Sequence, residues 1–174
     1  MTDLRAVIRS SVIHDICRWA MRGYESYHKA ERLGYLLGTL PSDGAVRVDL
    51  AVLFRSGVRS RTRAEFRQDL AHRRRLELES RHGIEYLGMF HSHVEIAGKL
   101  GLGLSSDDTF GFREDTDAVI ETVCAVRAAG RRPTPTSRRA VAAYDETTGY
   151  AYNLRVYAKT NRGVRLVENQ VLAT

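Results

Sequence analysis

The chain has 174 residues, 43% of them hydrophobic and 8% aromatic, with a formal charge of +6 and a pI near 9.6. That length and apolar content suit one buried core, so residues 1–174 are expected to form a single domain. Charges at Asp3, Arg5, Arg9, Asp15 and Arg18 break up the N-terminal segment, leaving neither a secretory apolar core nor a bilayer-spanning run, so no membrane association and a cytoplasmic location are expected.

Leu4 to Arg9 reads as a short strand. Ser10 or Ser11 can then cap a helix whose Val12, Ile16, Trp19 and Ala20 recur at helical spacing through about Tyr27. Two apolar runs, from Glu31 to Leu40 and from Ala45 to Phe54, flank the turn Pro41-Ser-Asp-Gly44 and describe a β-hairpin. Thr62-Arg-Ala-Glu65 has the spacing of a capping box, and Gly83 after His82 supplies a stop, which predicts a surface helix with a thin stripe of Phe66 and Leu70. Ile84 to Phe90 reads as a buried strand that delivers His91 and His93, and Ser105 opens a short helix through about Arg113. Val119 to Ala129 follows a helix-capping Asp115-Thr-Asp yet is rich in β-branched residues, which leans it towards a strand. Strands at Arg139 to Asp145, Tyr150 to Lys159 and Val164 to Glu168, joined by turns at Gly149 and Gly163, complete the chain. Residues 130–138, with Pro133 and Pro135, read as a mobile loop. The class expected is α+β or mixed α/β, with several strands flanked by two main helices.

Cys17 and Cys124 lie far apart in the sequence without a CxxC pair, so both read as small buried apolar residues in a reducing compartment. The positive charge is carried by arginine, concentrated at 55–81 and 127–139. Phe66 is the one aromatic residue interleaved with these clusters, which disfavours a stacking groove for single-stranded nucleic acid and favours a solvated basic face.

Chemistry concentrates in Phe90-His91-Ser92-His93 and in the Ser105-Ser-Asp-Asp108 that follows. Residues i and i+2 of a strand point to one side, so the two imidazoles can converge. Such a pair by itself is more often hydrogen-bonded than ligating. Ser105 with Asp108 taken alone is a plain helix cap. Together, however, two imidazoles and a carboxylate make the ligand set of a hydrolytic zinc with an open fourth position. Glu31 is a candidate base for that site, the alternative being a solvated glutamate paired with Lys29 or Arg32.

The glutamate-led strand Glu31-Arg-Leu-Gly34-Tyr-Leu-Leu37-Gly38, then HSH, then SxxD, resembles the JAMM/MPN (JAB) family of zinc isopeptidases, and the order of elements is similar over most of the chain. The resemblance implies a curved, mostly antiparallel sheet flanked by two main helices, with a short helix carrying SxxD. It implies Zn2+ held by His91, His93 and Asp108, with Glu31 as the general base that takes the proton of a metal-activated water and passes it to the leaving amine. It implies Ser105 as a donor to the oxyanion. The implied substrate is the C-terminal tail of a ubiquitin-like protein, cleaved at a peptide or isopeptide bond, within a bacterial or archaeal conjugation or sulfur-carrier system whose proteins are possible partners. Two further roles known among such domains are a non-catalytic MPN scaffold, disfavoured by retention of all five positions, and a basic nucleic-acid-associated JAB-like protein, disfavoured by the missing aromatics. The chain departs from the family in having Val94 where a proline is usual and eleven residues, 94–104, where about seven are usual before the serine. The longer loop costs only about 0.4 kcal/mol in closure entropy. Gly98, Gly101 and Gly103 are expected to make it adaptable and to shape substrate access.

Overall fold

The computed structural model describes residues 4–41, 44–54, 58–59, 64–65, 68–129 and 139–173. Strand β1 (Arg5–Arg9) leads directly into helix α1 (Ser10–Glu25). Val12, Ile13, Ile16, Cys17, Ala20 and Gly23 of α1 are buried, the one-sided stripe that a helix lying on a sheet requires. Arg9 occupies the cap position with no side-chain hydrogen bond, so neither Ser10 nor Ser11 caps this helix, and both lie within it. Strands β2 (Leu33–Thr39) and β3 (Ala45–Leu53) form the expected antiparallel hairpin.

Next come a two-residue ribbon, β4 (Val58–Arg59) with β5 (Ala64–Glu65), and helix α2 (Gln68–His82). Glu65 therefore belongs to a strand, not to the capping box expected at 62–65, and the helix begins later; Thr62 and Phe66 lie outside the described residues. The stripe of α2 that packs inward is Ala71 and Leu78, whereas Leu70 is exposed. Strand β6 (Glu85–Val94) contains both histidines instead of ending before them. Helix α3 (Ser106–Glu114) and strand β7 (Ile120–Ala128) follow. The chain finishes with β8 (Val141–Asp145), β9 (Tyr150–Thr160), β10 (Gly163–Leu166) and β11 (Glu168–Leu172). The loop expected around Pro133 and Pro135 lies outside the described residues.

The expectation of an α+β class, with a mostly antiparallel JAMM/MPN-like sheet flanked by two main helices, is corrected by this architecture. Strand accounts for 46% of the described residues against 27% helix, and the sheet is mixed and nearly closed, with three helices. Eight strands follow one path, β10-β9-β7-β6-β2-β3-β1-β11, with β8 paired to β9 outside it. The pairs β1/β3, β1/β11 and β6/β7 are parallel. The physical reason lies in the C-terminal segment, which reads as one strand but is two. Val167 alone separates β10 from β11, its N–H donates to the Val156 carbonyl, and the two strands on either side of it sit at opposite ends of the path. One residue thus links both edges of the sheet.

Two apolar clusters occupy the two faces. One packs α1 against residues such as Ile8, Leu36, Phe90, Cys124 and Leu154, with Trp19 stacked on Phe90 at 5.5 Å between ring centroids. Cys17 and Cys124 meet in this cluster; the neighbouring thiol and burial together hold the Cys124 thiol well above its ordinary pKa. The other cluster gathers Leu33, Tyr35, Leu78, Tyr86 and Phe112 beneath α2 and α3.

A β-bulge on β6 decides which face receives the histidines. Leu36 pairs with Gly88 and Leu37 with Tyr86, so Leu87 is an extra residue in the ladder. Tyr86 and Met89 both pack with the second cluster although they are an odd number of residues apart, because the bulge shifts the alternation by one. Beyond it, Phe90 and Val94 face α1, while His91 and His93 share the face of Met89. Gly88 has φ +144°, and a Cβ there would lie 1.8 Å from the Ile120 carbonyl oxygen. Gly88→Ala is therefore expected to cost at least about 3 kcal/mol of stability from strain and overlap together. Gly83→Ala, at φ +64° with open space around it, should cost about 1–2 kcal/mol. Urea unfolding of the two variants measures this difference, and equal losses would contradict the role given to the bulge.

Candidate metal centre

The neighbours β6 and β7 run parallel, so the chain between them must cross back over the sheet. The crossover consists of the 95–105 loop and α3, and it returns Asp108 to the end of β6 where the histidines lie. Ser105 is the cap of α3: its Oγ accepts from the Asp108 N–H at 3.1 Å, and its own N–H donates to Asp108 Oδ2 at 2.8 Å. This reciprocal capping box fixes the carboxylate rotamer, which a flexible loop would leave free.

The same Asp108 Oδ2 lies 3.4 Å from His91 Nε2 and 3.4 Å from His93 Nε2, and the two nitrogens lie 3.2 Å apart. A tetrahedral ion with bonds of about 2.0–2.1 Å holds its ligand atoms about 3.3–3.4 Å apart, so this triangle has the dimensions of one face of such a site. His91, His93 and Asp108 could accordingly hold a metal ion. The Asp108 side chain is 27% exposed while the imidazoles are more deeply buried, so the group opens to solvent on its carboxylate side. Asp107 beside it is exposed and takes no part in the group.

Both imidazoles are also held from behind. Nδ1 of His91 lies 3.0 Å from Glu121 Oε1 on β7, and Nδ1 of His93 lies 3.1 Å from the Gly101 carbonyl oxygen. A carbonyl and a carboxylate accept but do not donate, so a proton on Nδ1 is directed to the rear and each Nε2 faces the triangle, where a neutral ring with that tautomer presents a lone pair. Without a cation these lone pairs face an anionic oxygen. Burial alone would lower the His91 pKa, but hydrogen bonds to Asp108 and Glu121 outweigh it and raise the value to about 10. Asp108 is held well below the usual carboxylate range: burial opposes this, but hydrogen bonds from His91, His93 and Ser105 prevail. A proton on His91 thus occupies the place that a metal ion would take, and the two compete.

Glu31 is brought to the site by extension of the β2/β6 ladder. Leu33 pairs with His91, the Ser92 N–H donates to the Arg32 carbonyl at 2.7 Å, and the Arg32 N–H donates to Ser92 Oγ at 2.8 Å. One more step in that register sets Glu31 opposite His93 on the same face. It is buried, and burial raises its pKa to about 7, with His93 and His91 pulling it down and Asp108 pushing it up. Lys29, one alternative partner, turns to the Tyr24 ring at 4.2 Å and to the Glu95 carbonyl. The structure brings together all five residues singled out in the sequence.

The glycine loop has a different character from the adaptable one expected. Ile96 and Lys99 exchange backbone hydrogen bonds at 2.9 Å around a turn, and the loop then packs closely: a Cβ on Gly101 would lie 3.1 Å from His93 Nδ1, and one on Gly103 would lie 2.6 Å from the Tyr157 hydroxyl. Gly101 thus permits close contact with His93 of the site, and Gly103 with Tyr157. Glu121 was not singled out in the sequence, although a lone carboxylate within Ile120-Glu-Thr-Val-Cys124 is a detectable signal, since a buried strand carries a charge only where a partner waits.

No protein-family model matches the chain, and no curated protein matches it. Among solved structures it is similar to the solution structure of protein DSY2949 from Desulfitobacterium hafniense, at 14% identity and a TM-score of 0.57, over 97% of this chain and 94% of that one. That likeness extends the fold, and the fold alone, to a second protein. No helix among the described residues is long and apolar enough to cross a membrane.

The stability of the metal-free protein should depend on pH in a defined sense. His91 moves from 6.5 to about 10 on folding, so its contribution is complete below about pH 6.5 and is lost as pH rises through 10. Glu31, raised from 4.5 to about 7, adds a decline of the same sign between those values. Asp108 acts in the opposite sense, and only in acid. Denaturant unfolding of chelator-treated protein should therefore show falling stability from about pH 5 to 10, and a His91→Asn variant should lose the part above 6.5. An unchanged slope in that variant would rule out the proton-bridged cluster.

Proposed function

We propose that the protein is a zinc-dependent hydrolase that cleaves a peptide or isopeptide bond at the C-terminal tail of a ubiquitin-like protein. The observation that carries this reading is the triangle of His91 Nε2, His93 Nε2 and Asp108 Oδ2, with edges of 3.2–3.4 Å, beside a buried glutamate. Two imidazoles and one carboxylate are a zinc hydrolase's ligand set. When bound, zinc would supply Lewis acidity and bring the pKa of a water near 7.

The remaining chemistry belongs to the chain. Glu31 accepts the proton of the attacking water and delivers it to the departing amine, and a carboxylate whose pKa is near 7 suits both transfers at neutral pH. A cation in the cluster would lower that value, favouring the base form. The Ser105 hydroxyl accepts from the Asp108 N–H, which leaves its own O–H to donate to the oxygen that becomes anionic. Burial of Glu31 against the cluster favours catalysis over a metal-free scaffold, which needs no carboxylate there.

The substrate class rests on the resemblance of the Glu31–Gly38 strand, HSH and SxxD to the JAMM/MPN isopeptidases. An extended tail binds by adding to a strand edge, and a basic protein suits an acidic partner. A reducing cytoplasm fits two buried free thiols.

Metal analysis of the purified protein should find about one zinc per chain. A ubiquitin-like protein carrying a C-terminal extension should be cut after its tail, with cleavage abolished by a chelator and restored by zinc. Glu31→Gln should keep the zinc and lose about 10²–10⁴-fold in kcat. Ser105→Ala should lose about 10²–10³-fold with zinc retained. Normal cleavage by Glu31→Gln would refute the assigned base, and a chain free of zinc would refute the whole proposal.

A further inference from the structure

We infer that Glu121 is a positioning residue for the metal centre, holding His91 so that Nε2, and not Nδ1, is the ligating atom. This rests on the metal-binding reading and adds a residue to it. Glu121 lies on β7 opposite Met89, and Met89 shares a face of β6 with His91, so Glu121 and His91 are diagonal neighbours on one side of the sheet. The sheet fixes that relation. The flanking Ile120, Thr122 and Val123 are buried, and the Glu121 side chain is only 13% exposed. A carboxylate kept in such surroundings needs a compensating donor, and at 3.0 Å His91 Nδ1 is placed to be one.

The consequence for the metal is specific. An imidazole with a free ring can ligate through either nitrogen, and flipping it would carry the lone pair away from His93 and Asp108. A carboxylate at Nδ1 fixes the ring plane and the tautomer, and it increases the basicity of Nε2. The Gly101 carbonyl does the same for His93 with a neutral acceptor. The stronger anchor is thus on the more deeply buried ligand.

The test uses the full chain, with zinc affinity measured by competition against a chromophoric chelator and the imidazole N–H groups followed by 15N–1H spectra. Glu121→Ala should weaken zinc binding about 10–100-fold. Glu121→Gln keeps an acceptor oxygen, so it should stay within about tenfold of wild type and retain a slowly exchanging His91 Nδ1–H signal. Denaturant unfolding of the metal-free proteins accompanies both. Wild-type affinity in Glu121→Ala, or equal losses in both variants, would overturn the inference and assign Glu121 a purely structural part. If Glu121→Ala fails to fold, Glu121→Gln decides alone: near-wild-type affinity with the Nδ1–H signal supports the inference, and loss of that signal overturns it. Failure of the wild-type chain to bind zinc would overturn both this inference and the metal reading.

Discussion

Three candidate ligand atoms, two imidazole nitrogens and one carboxylate oxygen, converge to within 3.2–3.4 Å of one another, an approach that is unfavourable unless a proton or another positive charge lies between them. Here the three come from two residues of one strand and one residue of a helix that returns over it, each restrained by a separate hydrogen bond. His91 is held by Glu121, His93 by the Gly101 carbonyl, and Asp108 by the Ser105 N–H. The restraint is distributed over β6, β7, the 95–105 loop and α3, so the cluster depends on the fold as a whole. A cation, whether a proton or a metal ion, is what makes this convergence favourable.

The fold supplies that convergence through two devices. Parallel pairing of β6 with β7 demands a crossover, and the crossover is what brings Asp108 to the end of β6. The bulge at Leu87 and Gly88 reverses the phase of β6 and turns both histidines away from α1 and towards α3. Without it the imidazoles would enter the cluster around Phe90. Glu31 follows from the same strand pairing, since the ladder that positions Leu33 against His91 carries the glutamate one step further.

Much of the site was legible in the residues themselves, because its signals are local. Two histidines at strand spacing and a serine three residues before an aspartate each specify a geometry within one element. Glu121 was harder to see, since its meaning depends on which strand lies beside β6, and a parallel neighbour leaves no local mark. The same limit explains the fold. Helix α1 carries clear periodicity, the hairpin a turn signal and β7 a β-branched run, whereas the division of the last segment at Val167 depends on partners more than a hundred residues away. Gly101 and Gly103 were visible as glycines, but their use in close packing against His93 and Tyr157 required the tertiary structure.

The link at Val167 also bears on how the molecule is assembled. Arg5–Arg9 pairs on one side with β3 and on the other with Glu168–Leu172, so β1 is completed by the described strand most distant from it in sequence. His91, His93 and Asp108 all precede β11 in the chain, so β1 keeps an unsatisfied edge until residues 168–172 have been made. The sheet behaves as a collar fastened at β11, and a nascent chain that already carries His91, His93 and Asp108 is still an open one.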